Sequence, residues 1–138
     1  MLRRTAARVF LVDHAYRVLL LHVADATRSW WELPGGAVLR GEDATTACLR
    51  VLREDTGIDG GVRVGPCVWE RLVPARRTER IYVAWLDDPG APRAGTPAVT
   101  RTRLGERWWT LDEVTTSEET FEPPVLPSLA PALVRGDY

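Results

Sequence analysis

Two adjacent acids, Glu54 and Asp55, stand near the end of a stretch with the spacing of an α-helix. Residues three and four apart share a helix face, so positions 51, 54 and 55 form one stripe. Neighbouring acids repel each other, and a hard divalent cation that binds carboxylates together with substrate phosphates is one reason to keep them. Arg50 lies one turn earlier and can orient Glu54 by an ion pair. The alternative is a solvated helix end whose acids are neutralised by Arg50 and Arg53.

The helix that would carry these acids is predicted from Asp43 to Thr56. Asp43 is a plausible N-cap, and Gly57 stands where a helix commonly ends. Apolar residues recur at helical spacing at Ala44, Ala47, Cys48, Val51 and Leu52. The turn-forming run Pro34-Gly35-Gly36 precedes the helix and leaves the backbone free to bend.

The segment from Gly36 to Ile58 reads GAVLRGEDATTACLRVLREDTGI and resembles the Nudix box. The box has a glycine, five residues, a glutamate, seven residues and then Arg-Glu-apolar-x-Glu-Glu-x-Gly-apolar. The positions that match at this spacing are Gly36, Glu42, Arg50, Leu52, Glu54, Gly57 and Ile58. Asp55 replaces one glutamate by its shorter homologue, and Val51 replaces another outright. The runs Trp31–Gly36 and Arg107–Glu113 also resemble the family.

The resemblance implies an α+β fold, the Nudix-type α/β/α sandwich with a mixed β-sheet and the box as loop–helix–loop. It covers most of the chain, and we expect a single Nudix domain over residues 1–138. Strands are predicted from the residues at Arg8–Val12, Val18–Val23, Val62–Arg71, Arg80–Leu86 and Arg107–Leu111, a surface loop at Asp87–Arg103, and a closing helix at Leu126–Val134.

For function, the resemblance implies hydrolysis of a nucleoside diphosphate linked to another group, with Mg²⁺ or Mn²⁺ as the cofactor. Carried over by position, the metal ligands would be the Gly35 carbonyl, Glu54 and Asp55. The catalytic set would be Glu54, Arg50 and Glu42. Such a cation neutralises the diphosphate and activates a water molecule.

Val51 is the main departure, because valine can neither bind a cation nor accept a proton. The alternative function is therefore a non-hydrolytic Nudix-fold domain that binds a phosphorylated small molecule. If the stripe faces the metal, Val51→Glu should raise the metal affinity or the rate. Many members also supply an acid from a late loop; the candidates here remain open and are Asp87, Asp88, Glu106, Glu118, Glu119 and Glu122.

Four residues are predicted to bind the rest of the substrate. Trp31 beside the glycine turn and Trp69 on a later strand could stack on a flat group, although most of the six tryptophans should pack in the core. Arg71 and Arg80 could contact a phosphate or ribose, the alternative being a solvated loop.

Composition limits the partners of the protein. The 138 residues carry a formal net charge of -1, which favours neither nucleic acid nor an anionic membrane. A small phosphorylated substrate is therefore expected, with no nucleic acid or membrane partner, and a homodimer is possible because dimers are common in the family. Two cysteines, Cys48 and Cys67, and no unbroken apolar segment at the start predict a cytoplasmic protein.

Overall fold

The computed structural model describes residues 4–74, 77–87 and 102–138. Within these ranges the chain forms eight strands and three helices. In chain order they are β1 (Arg4–Val12), β2 (Val18–Ala24), β3 (Ser29–Glu32), β4 (Gly35–Ala37), α1 (Ala44–Thr56), β5 (Val62–Val73), β6 (Arg77–Leu86), β7 (Arg103–Trp109), α2 (Leu111–Thr116), β8 (Phe121–Glu122) and α3 (Leu126–Arg135).

The strands form one mixed sheet in the order β5-β6-β1-β2-β3-β8, with β4 paired to β1 and β7 paired to β2. β1 runs parallel to β6 along its length, from Arg4 opposite Arg77 to Val12 opposite Trp85. β1 pairs with β2 only where Val12 faces Val18, whereas its first half pairs with β4. The two inner strands therefore diverge toward the first half of β1.

Alternation along β1 divides the core between two faces of the sheet. Phe10 and Val12 pack with residues of α2 and α3, whereas Val9 and Leu11 pack with α1. Successive side chains of a strand point to opposite faces, so one apolar strand serves both layers. The predicted α+β class and α/β/α sandwich are confirmed.

Helix α1 begins and ends close to the predicted residues. The Asp43 side chain accepts a hydrogen bond from the Thr46 amide at 2.7 Å, and Gly57 ends the helix with φ 78°. The left-handed backbone at the end of a helix favours glycine, which has no Cβ to clash. Cys48 lies on the buried face of α1, and burial raises the pKa of its thiol to about 12.

Two predictions of local structure were wrong. The run Pro34-Gly35-Gly36, expected to form a turn, leads into the short strand β4, and the short strand β3 just before it was not predicted. Their hydrogen bonds go to β2 and β1, which local sequence does not reveal. The last long strand is Arg103–Trp109 instead of Arg107–Leu111, so Arg103 lies in β7. Residues 88–101 of the predicted loop lie outside the described residues.

Helix α2 follows β7 directly because a capping box starts it. The Thr110 hydroxyl accepts from the Glu113 amide at 3.2 Å, and the Glu113 carboxylate accepts from the Thr110 amide at 2.8 Å. Helix α3 spans Leu126–Arg135, one residue longer than predicted. Across the described ranges, no helix is both long and apolar enough to cross a bilayer.

Candidate active site

The glycine turn lies tightly against β1. A Cβ on Gly35 would come within 2.5 Å of the Ala7 carbonyl oxygen and 2.6 Å of the Arg8 Cδ. Gly36 is less restricted, since a Cβ there would meet only Val51 Cγ1 at 3.4 Å. Glycine at position 35 therefore lets the turn before α1 approach the sheet and the Arg8 side chain.

Arg50 connects the two glutamates of the box to the chain that enters it. Its Nε and Nη2 donate to the two carboxylate oxygens of Glu42 at 2.8 and 3.0 Å, and its Nη1 donates to Glu54 Oε2 at 3.1 Å. Nη2 also donates to the Ala37 carbonyl at 2.7 Å. The hydrogen bonds from Arg50, followed by that from the Leu39 amide, lower the pKa of Glu42, and the bond to Glu42 is the main reason that the pKa of Arg50 is raised.

Glu54 and Asp55 have different environments although they are adjacent. The Glu54 side chain is 58% exposed, whereas that of Asp55 is 17% exposed. Asp55 Oδ2 accepts from the Gly35 amide at 2.9 Å, and Asp55 Oδ1 accepts from Arg103 Nη2 at 3.2 Å. The two acids therefore do not present equivalent oxygens to one shared cation.

Val51 lies on the buried side of the stripe, whereas Glu54 lies on its exposed side. It is 1% exposed and packs with Ala47, Cys48 and Leu52 in the core between α1 and the sheet. In the described ranges, no group of three or more His, Cys, Asp or Glu side chains is arranged to hold a metal ion. Glu54 is the box acid with the chemistry and exposure that Mg²⁺ requires, since that ion commonly uses one or two carboxylates and completes its shell with waters and phosphates. The residues thus fit a cation that arrives with the substrate's phosphates.

A polar cleft of about 250 Å³ adjoins the glycine turn. Arg8, whose side chain contacts Gly35, forms part of its wall and donates to Glu32 Oε2 at 3.0 Å. The Trp30 indole donates to Glu32 Oε1 at 2.7 Å. The residues that line the cleft are Arg8, Arg28, Trp30, Glu32, Arg71, Glu79 and Glu122.

Ion pairs join the cleft walls into one network. Arg71 Nη2 lies 3.2 Å from Glu79 and 3.9 Å from Glu122, while Arg28 lies 3.4 Å from Glu122. Glu79 is only 4% exposed, and the Nε of Arg71 is buried without a hydrogen-bond acceptor among the described residues. Buried polar groups are normally satisfied, so this donor indicates a cleft suited to a polar ligand.

The four predicted substrate-binding residues have different positions. Arg71 lines the cleft, and its guanidinium lies 5.5 Å from the centre of the Trp69 ring. Trp31 is buried in the core and stacks on His22 at 4.3 Å, while the neighbouring Trp30 faces the cleft. Arg80 pairs with Glu70 on β5 at 2.6 Å and does not line the cleft.

The late acids are scattered. Glu122 lines the cleft, whereas Asp87 pairs with Arg63 at 3.0 Å. Glu118 and Glu119 are exposed beyond α2, and Glu106 lies on β7 opposite Leu21. Asp88 lies outside the described residues. Of the late acids that the structure describes, Glu122 is the one that lines the cleft.

Sequence reasoning missed most of the cleft and the role of Arg103. The sequence singles out Arg8, because it is a charged residue inside a run of otherwise apolar strand residues, whereas Glu79 lies between Thr78 and Arg80 and does not stand out. Arg103 was predicted to end the surface loop Asp87–Arg103. In the structure it pairs with Asp55 and also donates to the Asp55 carbonyl at 3.1 Å.

Comparisons with known proteins identify the family of the chain. The NUDIX domain family matches residues 2–129. An RNA pyrophosphohydrolase of Sphingopyxis alaskensis is 39% identical over 59 residues, which are 43% of this chain and 37% of that protein. One from Dinoroseobacter shibae is 42% identical over 55 residues, 40% of this chain and 34% of that protein. The matched segment thus spans about a third of each curated relative.

The fold is similar to that of solved structures. A NUDIX-family hydrolase from Clostridium perfringens has a TM-score of 0.68 at 18% identity, covering 94% of this chain and 97% of that one. The match of the family over nearly the whole sequence, the box register and the sandwich fold lead to one conclusion: the chain belongs to the Nudix family.

Proposed function

We propose that the protein is a hydrolase of a nucleoside diphosphate linked to another group and that it requires Mg²⁺ or Mn²⁺. The observation that carries this proposal is the Arg50 network, which joins Glu42, Glu54 and the Ala37 carbonyl. It holds an exposed carboxylate close to the chain that enters the box, because Arg50 also donates to the Ala37 carbonyl. When bound, the divalent cation supplies neutralisation of the diphosphate charge and a more acidic water.

In this proposal, residues of the protein bind the cation and orient the Glu54 carboxylate. Glu54 and the Gly35 carbonyl hold the cation. The sequence also predicts Asp55 as a ligand, but its two oxygens already accept hydrogen bonds from Gly35 and Arg103. Arg50 and Glu42 position Glu54, because a guanidinium with several fixed acceptors holds its partner in one geometry. These are the same residues as the metal and catalytic sets expected from the sequence.

The cleft would hold the rest of the substrate. Arg8 and Arg71 offer guanidinium groups to phosphate or ribose oxygens, and Trp30 offers a ring on which a base can stack. Trp69 lies beside Arg71 and extends the same surface. Trp31 and Arg80 are weaker candidates, given their burial in the core and pairing with Glu70 respectively.

A second candidate is a Nudix-fold domain that binds a phosphorylated small molecule without cleaving it. Val51 in the core and the Asp55–Arg103 pair favour it, because both reduce the acids that are available to metal. A small phosphorylated molecule is the proposed partner in either case. The homodimer and the cytoplasmic location stay predictions.

The test is a turnover panel. The protein is incubated with Mg²⁺ or Mn²⁺ and nucleoside triphosphates, dinucleotides, nucleotide sugars or RNA with a 5′-triphosphate end, and released phosphate and monophosphate are measured. The RNA arm tests the activity named for the two relatives against the small-molecule expectation. Cation-dependent turnover that is lost in Glu54→Gln supports the hydrolase.

Asp59→Asn is the matched control, because Asp59 lies shortly after α1 and, at 54%, is about as exposed as Glu54 at 58%. It should keep the activity of the unmodified protein. No turnover on any substrate, together with tight cation-dependent ligand binding, would establish the binding domain instead.

A further inference from the structure

The environment of Asp55 is set by an arginine from a distant strand. Arg103 of β7 donates to both the side chain and the main-chain carbonyl of Asp55, at 3.2 and 3.1 Å. The Gly35 amide donates to the other carboxylate oxygen at 2.9 Å. Both oxygens of this acid are therefore engaged by protein donors before any ligand arrives.

Glu54 offers the opposite arrangement. Its Oε2 accepts from Arg50, and its Oε1 accepts no hydrogen bond from the described part of the chain. The side chain is 58% exposed, whereas Asp55 and Arg103 are 17% and 24% exposed. Of the two neighbouring acids, Glu54 is thus the one that a cation reaches without breaking a protein contact.

We propose that Arg103 is a positioning residue that acts as a fixed internal cation at Asp55, so that the free protein binds one divalent ion, through Glu54. A guanidinium keeps its charge at every ordinary pH, so Arg103 stays available to pair with the carboxylate of Asp55 across that range. It also repels a divalent ion placed beside Asp55. The inference rests on the proposed function only in taking a divalent cation as the ligand.

This arrangement accounts together for two features by which the site differs from the Nudix box. Val51 removes one acid from the box, and Arg103 removes a second from metal binding while preserving its hydrogen bond to Gly35. Asp55 then fixes the glycine turn to the end of α1. Further cations would have to arrive already bound to the substrate's phosphates.

The first measurement is Mn²⁺ binding by electron paramagnetic resonance of the free ion, without substrate. The unmodified protein should bind one Mn²⁺ per chain, and Glu54→Gln should weaken that binding at least tenfold. The double variant Asp55→Asn with Arg103→Gln removes one negative and one positive charge together. Its affinity should stay within about twofold of the unmodified protein, because Asp55 is not a ligand.

The single variant Arg103→Gln releases Asp55 from its guanidinium. Mn²⁺ affinity should then rise about tenfold or a second ion should bind, since a unit charge at roughly 6 Å changes the binding of a divalent ion about tenfold even in water. Arg107→Gln is the matched control, because Arg107 lies on the same strand and pairs with Glu113. That variant should leave Mn²⁺ binding unchanged.

A measurement on the unmodified protein keeps the inference testable if the Arg103 variants do not fold. The ¹⁵N signals of the Arg103 guanidinium should keep their shifts as Mg²⁺ is added. The inference is overturned if those signals move as the ion binds, if the double variant loses Mn²⁺ as Glu54→Gln does, if Arg103→Gln binds like the unmodified protein, or if the unmodified protein binds no Mn²⁺.

The two proposals can fail separately. One Mn²⁺ bound through Glu54 with no turnover on any substrate keeps this inference and rejects the hydrolase. Turnover by a protein that binds Mn²⁺ equally through Glu54 and Asp55 keeps the hydrolase and rejects this inference.

Discussion

Replacing Val51 by glutamate restores the acid that the Nudix box has at this position, but the burial of this residue means that the substitution should lower the stability of the folded protein. Val51 is 1% exposed and packs between α1 and the sheet. A new carboxylate would therefore start in an apolar environment. The nearby Gly36 leaves a path toward the glycine turn, because only Val51 itself lies within 4 Å of a Cβ built there.

The expected loss in the free energy of unfolding follows from the methyl groups that are removed and the carboxylate that is buried. Val51→Ala deletes two methyl groups, about 1.6 kcal/mol of transfer free energy at roughly 0.8 kcal/mol per carbon. With the cavity, the loss should be about 2–3 kcal/mol. Val51→Glu loses the same packing and leaves a carboxylate uncompensated, so about 3–5 kcal/mol is expected. That is a large part of the roughly 5–15 kcal/mol that stabilises a typical domain.

Urea unfolding in EDTA and again with saturating Mn²⁺ measures both effects. Burial raises the pKa of the new glutamate, so the deficit should shrink as the pH falls from 7 toward 5, where the folded state takes up the proton. Mn²⁺ should recover part of the loss if the carboxylate reaches the cation, because binding to the folded state alone is stabilising. A Val51→Glu protein as stable as Val51→Ala in EDTA, at every pH, would refute the placement of this residue in the core.

Other predictions follow from the same contacts. Gly35→Ala should lower the melting temperature and abolish ligand binding, because its Cβ would lie 2.5 Å from a main-chain oxygen of β1; a normal melting curve by circular dichroism would contradict this. Arg50→Ala should reduce turnover and Mn²⁺ affinity together, since it releases both glutamates, and unchanged values of both would count against the Arg50 network. The pKa of Glu42 is lowered, so its contribution to stability is present above the ordinary value of 4.5 and lost as the pH falls through the folded-state pKa; Glu42→Gln should flatten that acid-side loss in unfolding curves. A thiol reagent should modify Cys67 in the native protein and Cys48 only after unfolding, because Cys67 is exposed and burial raises the pKa of Cys48 to about 12; two fast equivalents in the native state would be the contrary result.

Local features of the site could be predicted from the sequence. Asp43 and Gly57 cap the two ends of helix α1 as predicted, because a cap contacts residues only a few positions away in the sequence. The pair of Arg50 with Glu54 was also predictable, since the helix repeat places residues four apart on one face. The short strands β3 and β4 beside the glycine turn could not be predicted, because a strand this short forms only through hydrogen bonds to a partner strand that is distant in the sequence.

What the sequence determined by itself is the box: its register, its helix, and the acids and arginine that the helix repeat brings together. Tertiary structure decided which of those groups meet solvent. Val51 shares a stripe with two acids, yet the docking of α1 on the sheet places the core boundary between them. Arg103 and Asp55 are 48 positions apart, and the cleft takes side chains from several strands. Such contacts depend on strand order and register, which are set by the packing of the whole domain and not by any short stretch of sequence.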